Sequence, residues 1–345
     1  MSGRGLGLLM DVISRELVVS ALELQSPPRV PRQLWILPWA ERNHPSELAA
    51  IRNAYPDDIL KCLPFLEKPL KTSGDEYAPG LYIDEWGCRF ENRQWGVIGE
   101  VKDPLLKDWR DPAAVRIPEE RLSVDARKVD EFCRAKDAFV YSWASVNLFE
   151  RLQFIRGPEN LYVDLAERPD ELFVLIRRLH AFFKEELELW ASTEVDALSF
   201  ADDWGSQKSL LISPALWREV FKPLYREYVE IAHRNGKYAF MHSDGYITDI
   251  FPDLIEIGVD AVNSQIFCMD LWDLGRRFAG KITFWGEIDR QHLLPHGTPA
   301  EVAAAVSAAK EALYRGGGVI AQCEFGAGAR PENVAAVFET WNKLV

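Results

Sequence analysis

The second half of the chain alternates short strand-like runs with amphipathic helical patterns, and this alternation limits the fold more than any other feature. Runs at 196–204, 237–242, 259–265, 281–289 and 318–324 are each followed by a helical pattern. Strands that each lead into a helix form a parallel sheet. Since no G-x-G-x-x-G follows the first of these strands, we expect a closed barrel rather than a dinucleotide-binding open sheet.

The first half is less regular but adds elements of the same kind. It contains strand-like runs at 30–39 and 138–143 and a long helical pattern at 169–192, and an alternating stretch at 80–101 predicts a β-hairpin. The first residues continue into a helical pattern and are not typical of a signal peptide. We therefore predict one domain over 1–345, a (β/α)8 TIM-type barrel with an N-terminal extension and a β-hairpin excursion.

Composition narrows the class of function. Of 345 residues, 48% are hydrophobic and 27% charged, as in soluble globular proteins, and no apolar run is long enough to span a bilayer. The net charge of −13 disfavours nucleic-acid binding, because such a surface repels phosphates. Five cysteines without C-x-x-C spacing fit a cytoplasmic protein. Whether the chain forms a homodimer is left open.

Polar side chains collect where the predicted strands end. In a (β/α)8 barrel the functional groups lie at the carboxyl ends of the strands, so these side chains should meet at one mouth. The residues at these ends are Asp202-Asp203-Trp204, His242-Ser243-Asp244, Asn263-Ser264-Gln265, Trp285-Gly286-Glu287 and Gln322-Cys323-Glu324.

Four of these residues are typical zinc ligands. His242, Asp244, Glu287 and Cys323 offer nitrogen, carboxylate and thiolate donors, and a catalytic zinc site keeps one position open. His242, Glu287 and Cys323 would then act in catalysis through the metal. We expect the substrate to contact the remaining polar and aromatic candidates, namely Asp202, Asp203, Trp204, Gln265, Trp285 and Trp39.

Simpler interpretations stay open at this point. His242 could be an ordinary hydrogen-bonded residue, Cys323 a small buried hydrophobe, and Asp244 the side chain of an Asx turn before Gly245. The acids at the mouth could also bind substrate hydroxyls or amines without a metal.

The stretches "FADDWGSQKSLLISPALWREVFKP", "MHSDG", "FPDLIEIGVDAVN" and "RPENVAAVFE" resemble the uroporphyrinogen decarboxylase superfamily. A weaker similarity, "SRELVVSALELQSPPRVP", lies near the N-terminus. The resemblance implies a (β/α)8 barrel. The arginine-rich segment by which the decarboxylases hold propionate groups has no counterpart in "RQLWILPWAERN" at 32–43. The resemblance therefore favours the branch of zinc-dependent methyltransferases that work with methylcobamide proteins.

That branch carries a His-x-Cys motif and a distant Cys as zinc ligands. His242 and Cys323 stand at matching places, while Asp244 replaces a cysteine. A carboxylate leaves zinc a stronger Lewis acid than a thiolate does, which suits polarising the oxygen of a methoxylated aromatic substrate. The resemblance thus implies methyl transfer between such a substrate and a corrinoid on a separate protein, because the chain lacks a D-x-H-x-x-G corrinoid motif. A metal-free decarboxylase or lyase acting on a small carboxylated substrate is the alternative.

Overall fold

A computed structural model describes residues 14–110 and 115–344. The part of the predicted N-terminal extension at residues 1–13 lies outside the described residues. Within the described ranges, no helix is both long and apolar enough to cross a membrane.

In the described ranges eleven strands form two sheets, and the larger sheet confirms the predicted barrel. The strands are β1 (Arg32–Ile36), β2 (Ile59–Lys61), β3 (Gly80–Ile83), β4 (Arg89–Asn92), β5 (Glu100–Val101), β6 (Phe139–Val146), β7 (Ala197–Ala201), β8 (Tyr238–Ser243), β9 (Ala261–Ser264), β10 (Thr283–Trp285) and β11 (Val319–Phe325). Eight parallel strands follow the order β1-β11-β10-β9-β8-β7-β6-β2. Seven of them overlap the predicted runs, whereas the short β2 was not predicted.

The barrel closes between β1 and β2 with few backbone contacts. The Asp58 N–H donates to the Arg32 carbonyl at 2.9 Å, and two aspartates complete the seam. The Asp58 carboxylate accepts from the Arg32 N–H at 2.9 Å, and the Asp57 carboxylate accepts from the Leu34 N–H at 2.7 Å. Side chains therefore replace ladder hydrogen bonds at this joint.

Helices surround the barrel and agree with the sequence pattern in the second half. They are α1 (Ser14–Leu22), α2 (Pro38–Asn43), α3 (Pro45–Ala54), α4 (Ala126–Arg134), α5 (Leu148–Arg156), α6 (Pro158–Glu167), α7 (Asp170–Ala191), α8 (Pro214–Leu216), α9 (Lys222–Arg234), α10 (Phe251–Ile257), α11 (Leu271–Phe278), α12 (Leu293–His296), α13 (Pro299–Leu313) and α14 (Pro331–Leu344). The helical pattern predicted after β7 is α8 and α9 joined by a π-helical turn. Ser213 caps its start, since Ser213 Oγ accepts from the Leu216 N–H.

Alternation along each strand sorts side chains into two layers, because successive residues point to opposite faces. One layer fills the barrel and includes Phe240, Trp285 and Ile320, with Val18 of α1 packed into the same cluster. The other lies between strands and helices and includes Leu34, Met241 and Cys323. This parity decides which residue at each strand end faces the mouth.

The predicted excursion is confirmed as an antiparallel hairpin of β3 and β4, extended by β5 into a small three-stranded sheet. Gly96, just before β5, lies against the backbone of Trp39 on α2 so closely that an added Cβ would sit 2.8 Å from Trp39 N. The excursion is thereby fixed beside the mouth of the barrel.

Candidate metal centre

His242 projects into the mouth with the orientation of its ring fixed by its neighbours. It lies on β8 two residues after Phe240, so both face the barrel interior. Its Nδ1 is 2.7 Å from Asn263 Oδ1, and Asn263 Nδ2 donates to the Trp285 carbonyl. The amide oxygen must therefore face the imidazole, and His242 Nδ1–H donates to it. Nε2 keeps a free lone pair directed at the mouth when the ring is neutral.

Two aspartates face this nitrogen. His242 Nε2 lies 3.5 Å from Asp203 Oδ1 and 3.7 Å from Asp244 Oδ1. One ligand atom from each residue can be chosen so that all lie within 4.8 Å of one another, and across residues 14–110 and 115–344 no second group of three His, Cys, Asp or Glu does so. Asp244 Oδ1 is shielded from solvent and has no hydrogen-bond partner in the described chain. An imidazole nitrogen and two carboxylate oxygens suit a divalent cation, which would satisfy the orphaned oxygen.

Two glycines hold the loops of β7 and β8 together. Gly245 has a φ of +77°, and a Cβ there would lie 2.3 Å from the Gly205 carbonyl oxygen. The Gly205 N–H in turn donates to the Asp244 carbonyl at 3.2 Å, and the Asp244 N–H donates to Asp203 Oδ1 at 2.8 Å. Only glycine permits this approach, which brings Asp203 and Asp244 to the same side of His242.

Arg290 ties one aspartate to two further acids. Its guanidinium contacts Asp244 Oδ2, donates to Glu324 Oε2 at 3.0 Å and lies 3.4 Å from Glu287 Oε1. Although burial opposes its charge, these three carboxylates raise the pKa of Arg290 above the ordinary value. Arg290 thus orients Asp244 with one oxygen held and the other free. The sequence pattern does not predict this arginine, because it lies in the loop beyond the end of β10.

The mouth brings several acidic side chains close together. Burial raises the pKa of Glu287 to about 8 although Arg290 acts in the opposite sense. Burial, and next the charge of Asp203, raise the pKa of Glu150 well above its ordinary value. Glu150 lies in the first turn of α5, a helix that the sequence analysis missed, and so it was not among the candidates. Burial and mutual repulsion oppose the charged forms of these acids, and a bound cation would stabilise the charged forms.

Two cavities open on either side of this group. One, of about 320 Å³, is lined by Gln265, Phe267, Cys268, Glu287 and Arg290 among others. The other, of about 650 Å³, has both Glu150 and Asp203 in its wall. Gln265 and Asp203, both expected to contact substrate, therefore face open space.

Asp202 and Trp204, also expected at the substrate, lie on the opposite face of the strand end from Asp203. Asp202 is fully buried and accepts from the N–H groups of Phe149 and Glu150, both at 2.9 Å, and from the Tyr225 hydroxyl. Burial raises the pKa of Asp202 to about 7. Trp204 is fully buried and stacks on Phe149 with ring centroids 4.3 Å apart. The structure places both residues in the support of α5 and not in the mouth.

Cys323 is likewise not brought to His242. It is fully buried in the cluster between strands and helices, because it stands an odd number of residues from Ile320, which points into the barrel. Burial raises the pKa of its thiol well above the ordinary value. The residues of β11 that share the parity of Ile320 are Gln322 and Glu324. Glu287 is at the mouth, but its carboxyl faces Arg290.

The other two tryptophan candidates, Trp285 and Trp39, lie in different places. Trp285 is 2% exposed in the barrel interior, where its Nε1–H and that of Trp35 both donate to Gln33 Oε1 at 3.0 Å. Trp35 packs on the His242 ring with centroids 5.2 Å apart, so these rings form the floor below the imidazole. Trp39 is half-buried on α2 and packs on His44.

Residues 150–344 match the family model described as uroporphyrinogen decarboxylase (URO-D), and this range includes Asp203, His242, Asp244 and Arg290. The chain belongs to the URO-D family. The resemblance noted in the sequence is thus confirmed. No curated protein matches the chain.

One solved structure agrees with the fold described above. A methyltransferase from Methanosarcina mazei superposes with a TM-score of 0.64 at 16% identity, over 96% of this chain and 98% of that one. At this identity the similarity concerns the fold. A glycosylated endo-beta-1,4-xylanase of glycoside hydrolase family 10 from Gloeophyllum trabeum gives a TM-score of 0.45 at 11% identity, covering 93% of this chain and 99% of that one, and nothing is concluded from it.

Proposed function

We propose that this URO-D family member is a metal-dependent methyltransferase that moves a methyl group between a small methyl ether and a corrinoid carried by a separate protein. The observation that carries the proposal is the Nε2 of His242 facing the carboxylates of Asp203 and Asp244 at the barrel mouth. The methyltransferase activity named for the Methanosarcina mazei structure supports it.

A divalent cation held by His242, Asp203 and Asp244 would supply Lewis acidity toward the ether oxygen. The C–O bond to the methyl group would break, and its electron pair would stay on the oxygen, which takes a proton from solvent. The methyl group would bond to a reduced cobalt, which provides the electron pair for the new bond. The protein's own part is positioning. Phe267 and Gln265 line the smaller cavity beside the group, where a small aromatic ether can be held.

The charge at the mouth argues against the alternative of a decarboxylase for a carboxylated substrate. Arg290, the cation best placed to bind a substrate carboxylate, is already engaged by Asp244, Glu287 and Glu324. A further carboxylate at Asp203, in the wall of the larger cavity, would repel an incoming anion. A neutral ether meets no such penalty.

The test is methyl transfer from 2-methoxyphenol to cob(I)alamin, followed by the absorbance of methylcobalamin. We expect transfer by the metal-loaded protein, and a rate at least ~100-fold lower in His242→Ala, because a Lewis acid supplies several kcal/mol of charge stabilisation. His296→Ala, at an exposed histidine of α12, is the matched control and should keep the full rate. Equal rates for His242→Ala and the parent protein would refute the proposal.

A further inference from the structure

We infer that the cation bound by this chain has no thiolate ligand and is held by His242 with the carboxylates of Asp203 and Asp244. The inference rests on the metal of the proposed function but not on methyl transfer. It departs from the His-x-Cys and distant Cys pattern that the sequence resemblance implies.

The parity of two strand ends decides which residues reach the ion. Asp203 follows β7 and faces the mouth, whereas Asp202 beside it caps α5. On β11 the same rule turns Cys323 into the packed layer and leaves Glu324 at the mouth. The place of a second thiolate is therefore taken by Asp203, a residue from a different strand.

The other cysteines are also accounted for, since all five lie in described parts of the chain. Cys62 and Cys133 lie beside each other, and Cys88 accepts from Arg151 at 3.6 Å. Cys268 is the one thiol that lines the cavity next to the group. Its S–H donates to Gln265 Oε1 at 3.2 Å and to Gln207 Oε1 at 3.3 Å, so its proton is already used in holding the two amides.

β11 acts on the ion indirectly. Glu324 accepts from Arg290, and Arg290 holds Asp244 Oδ2, which leaves Oδ1 aimed at His242 Nε2. Arg290 and Glu324 are thus positioning residues. In a sulfur-rich site, β11 would supply a metal ligand directly. Here β11 contributes through Glu324 and Arg290, which hold Asp244 in the orientation in which it can bind the ion.

Ligand type sets metal preference. Thiolates select soft ions, whereas imidazole and carboxylate suit zinc and the harder ions of the first transition row. The site should therefore bind Co²⁺ and Zn²⁺ without the strong preference for Cd²⁺ that thiolates confer. In a Co²⁺-loaded protein, thiolate ligation is visible as an intense charge-transfer band in the near ultraviolet, and we expect that band to be absent.

The experiment is a calorimetric titration of the metal-free full-length protein with Co²⁺, with absorption spectra recorded on the same samples. Asp203→Asn should lower the Co²⁺ affinity at least ~10-fold, whereas Cys323→Ser and Cys268→Ser should stay within ~3-fold of the parent protein. Circular dichroism of each variant before titration checks that the fold is kept. Arg290→Lys should give an intermediate loss, since it keeps a charge but not the fork that grips Asp244 and Glu324.

A thiolate band that disappears in Cys323→Ser or Cys268→Ser would overturn the inference, and so would unchanged affinity in Asp203→Asn or no Co²⁺ binding at all. The outcome is separate from that of the methyl-transfer assay. Thiolate-free binding without methyl transfer would leave the inference standing and refute the proposed function. Methyl transfer with a thiolate-ligated ion would do the reverse.

Discussion

Glu287 should make the stability of the metal-free protein fall as the pH rises. Its carboxyl is 2% exposed, and burial raises its pKa from the ordinary 4.5 to about 8. Between these two values the folded chain keeps a proton that the unfolded chain releases. The stabilisation is therefore complete below pH 4.5 and is lost as the pH rises through 8. At 1.36 kcal/mol for each unit of pKa, the full span corresponds to about 5 kcal/mol.

The substitution Glu287→Gln tests this reasoning, because glutamine has the shape of the neutral acid and no charge to bury. We expect the variant to match the parent protein within about 1 kcal/mol at pH 5 and to be more stable by about 3–5 kcal/mol at pH 9. The free energy of unfolding is measured by urea titration at each pH, in EDTA, from the far-ultraviolet circular dichroism.

Glu332→Gln, at an exposed glutamate of α14, is the control and should shift the urea midpoint equally at every pH. If the difference between Glu287→Gln and the parent protein were the same at pH 5 and pH 9, the proton held by Glu287 would not be what links stability to pH, and the argument from burial would fail.

Three further predictions concern the support of the site. Gly245→Ala should lower stability by about 2–4 kcal/mol and weaken Co²⁺ binding, as thermal unfolding and titration will show, because a Cβ collides with Gly205 at a positive φ. Asp202→Asn should lower the free energy of unfolding in urea by about 1–3 kcal/mol, since it disturbs the hydrogen bonds from two N–H groups of α5. Asp203→Asn should lower the same free energy by less than about 0.5 kcal/mol. Asn263→Leu should reduce Co²⁺ affinity about 10–100-fold in calorimetry, since His242 loses the acceptor that fixes its ring; an unchanged affinity would show that Asn263 does not orient the ring.

The barrel was predictable because its strands and helices differ in hydrophobic period. The one barrel strand that was missed, β2, has only three residues, too few to show a period, and it is held by Asp57 and Asp58 across the seam. The helix α5 was missed for a different reason. Its capping residue, Asp202, lies some fifty positions later in the chain, so no local signal marks its start.

The sequence predicts where in the fold the candidate site lies, but not which residues of each strand end face it. Sequence periodicity locates a strand end to within a residue or two, and a shift of one residue turns a side chain to the other face. His242, Asp203 and Gln265 face the mouth as expected, while Asp202 and Cys323 do not. Arg290 follows β10 in a loop, where no periodicity applies, and only the coordinates show its three carboxylate partners.

The pairing of β1 with β11 has a consequence for how the chain is made. Leu34 of β1 lies beside Cys323 of β11, so the first barrel strand to leave the ribosome finds this neighbour only after the other barrel strands have been made. Until then β1 contacts only β2 within the barrel, through few hydrogen bonds, and its other edge is exposed to other nascent chains. Fragments that stop before residue 319 should for this reason depend on chaperones and aggregate without them, even though most of their βα units are complete.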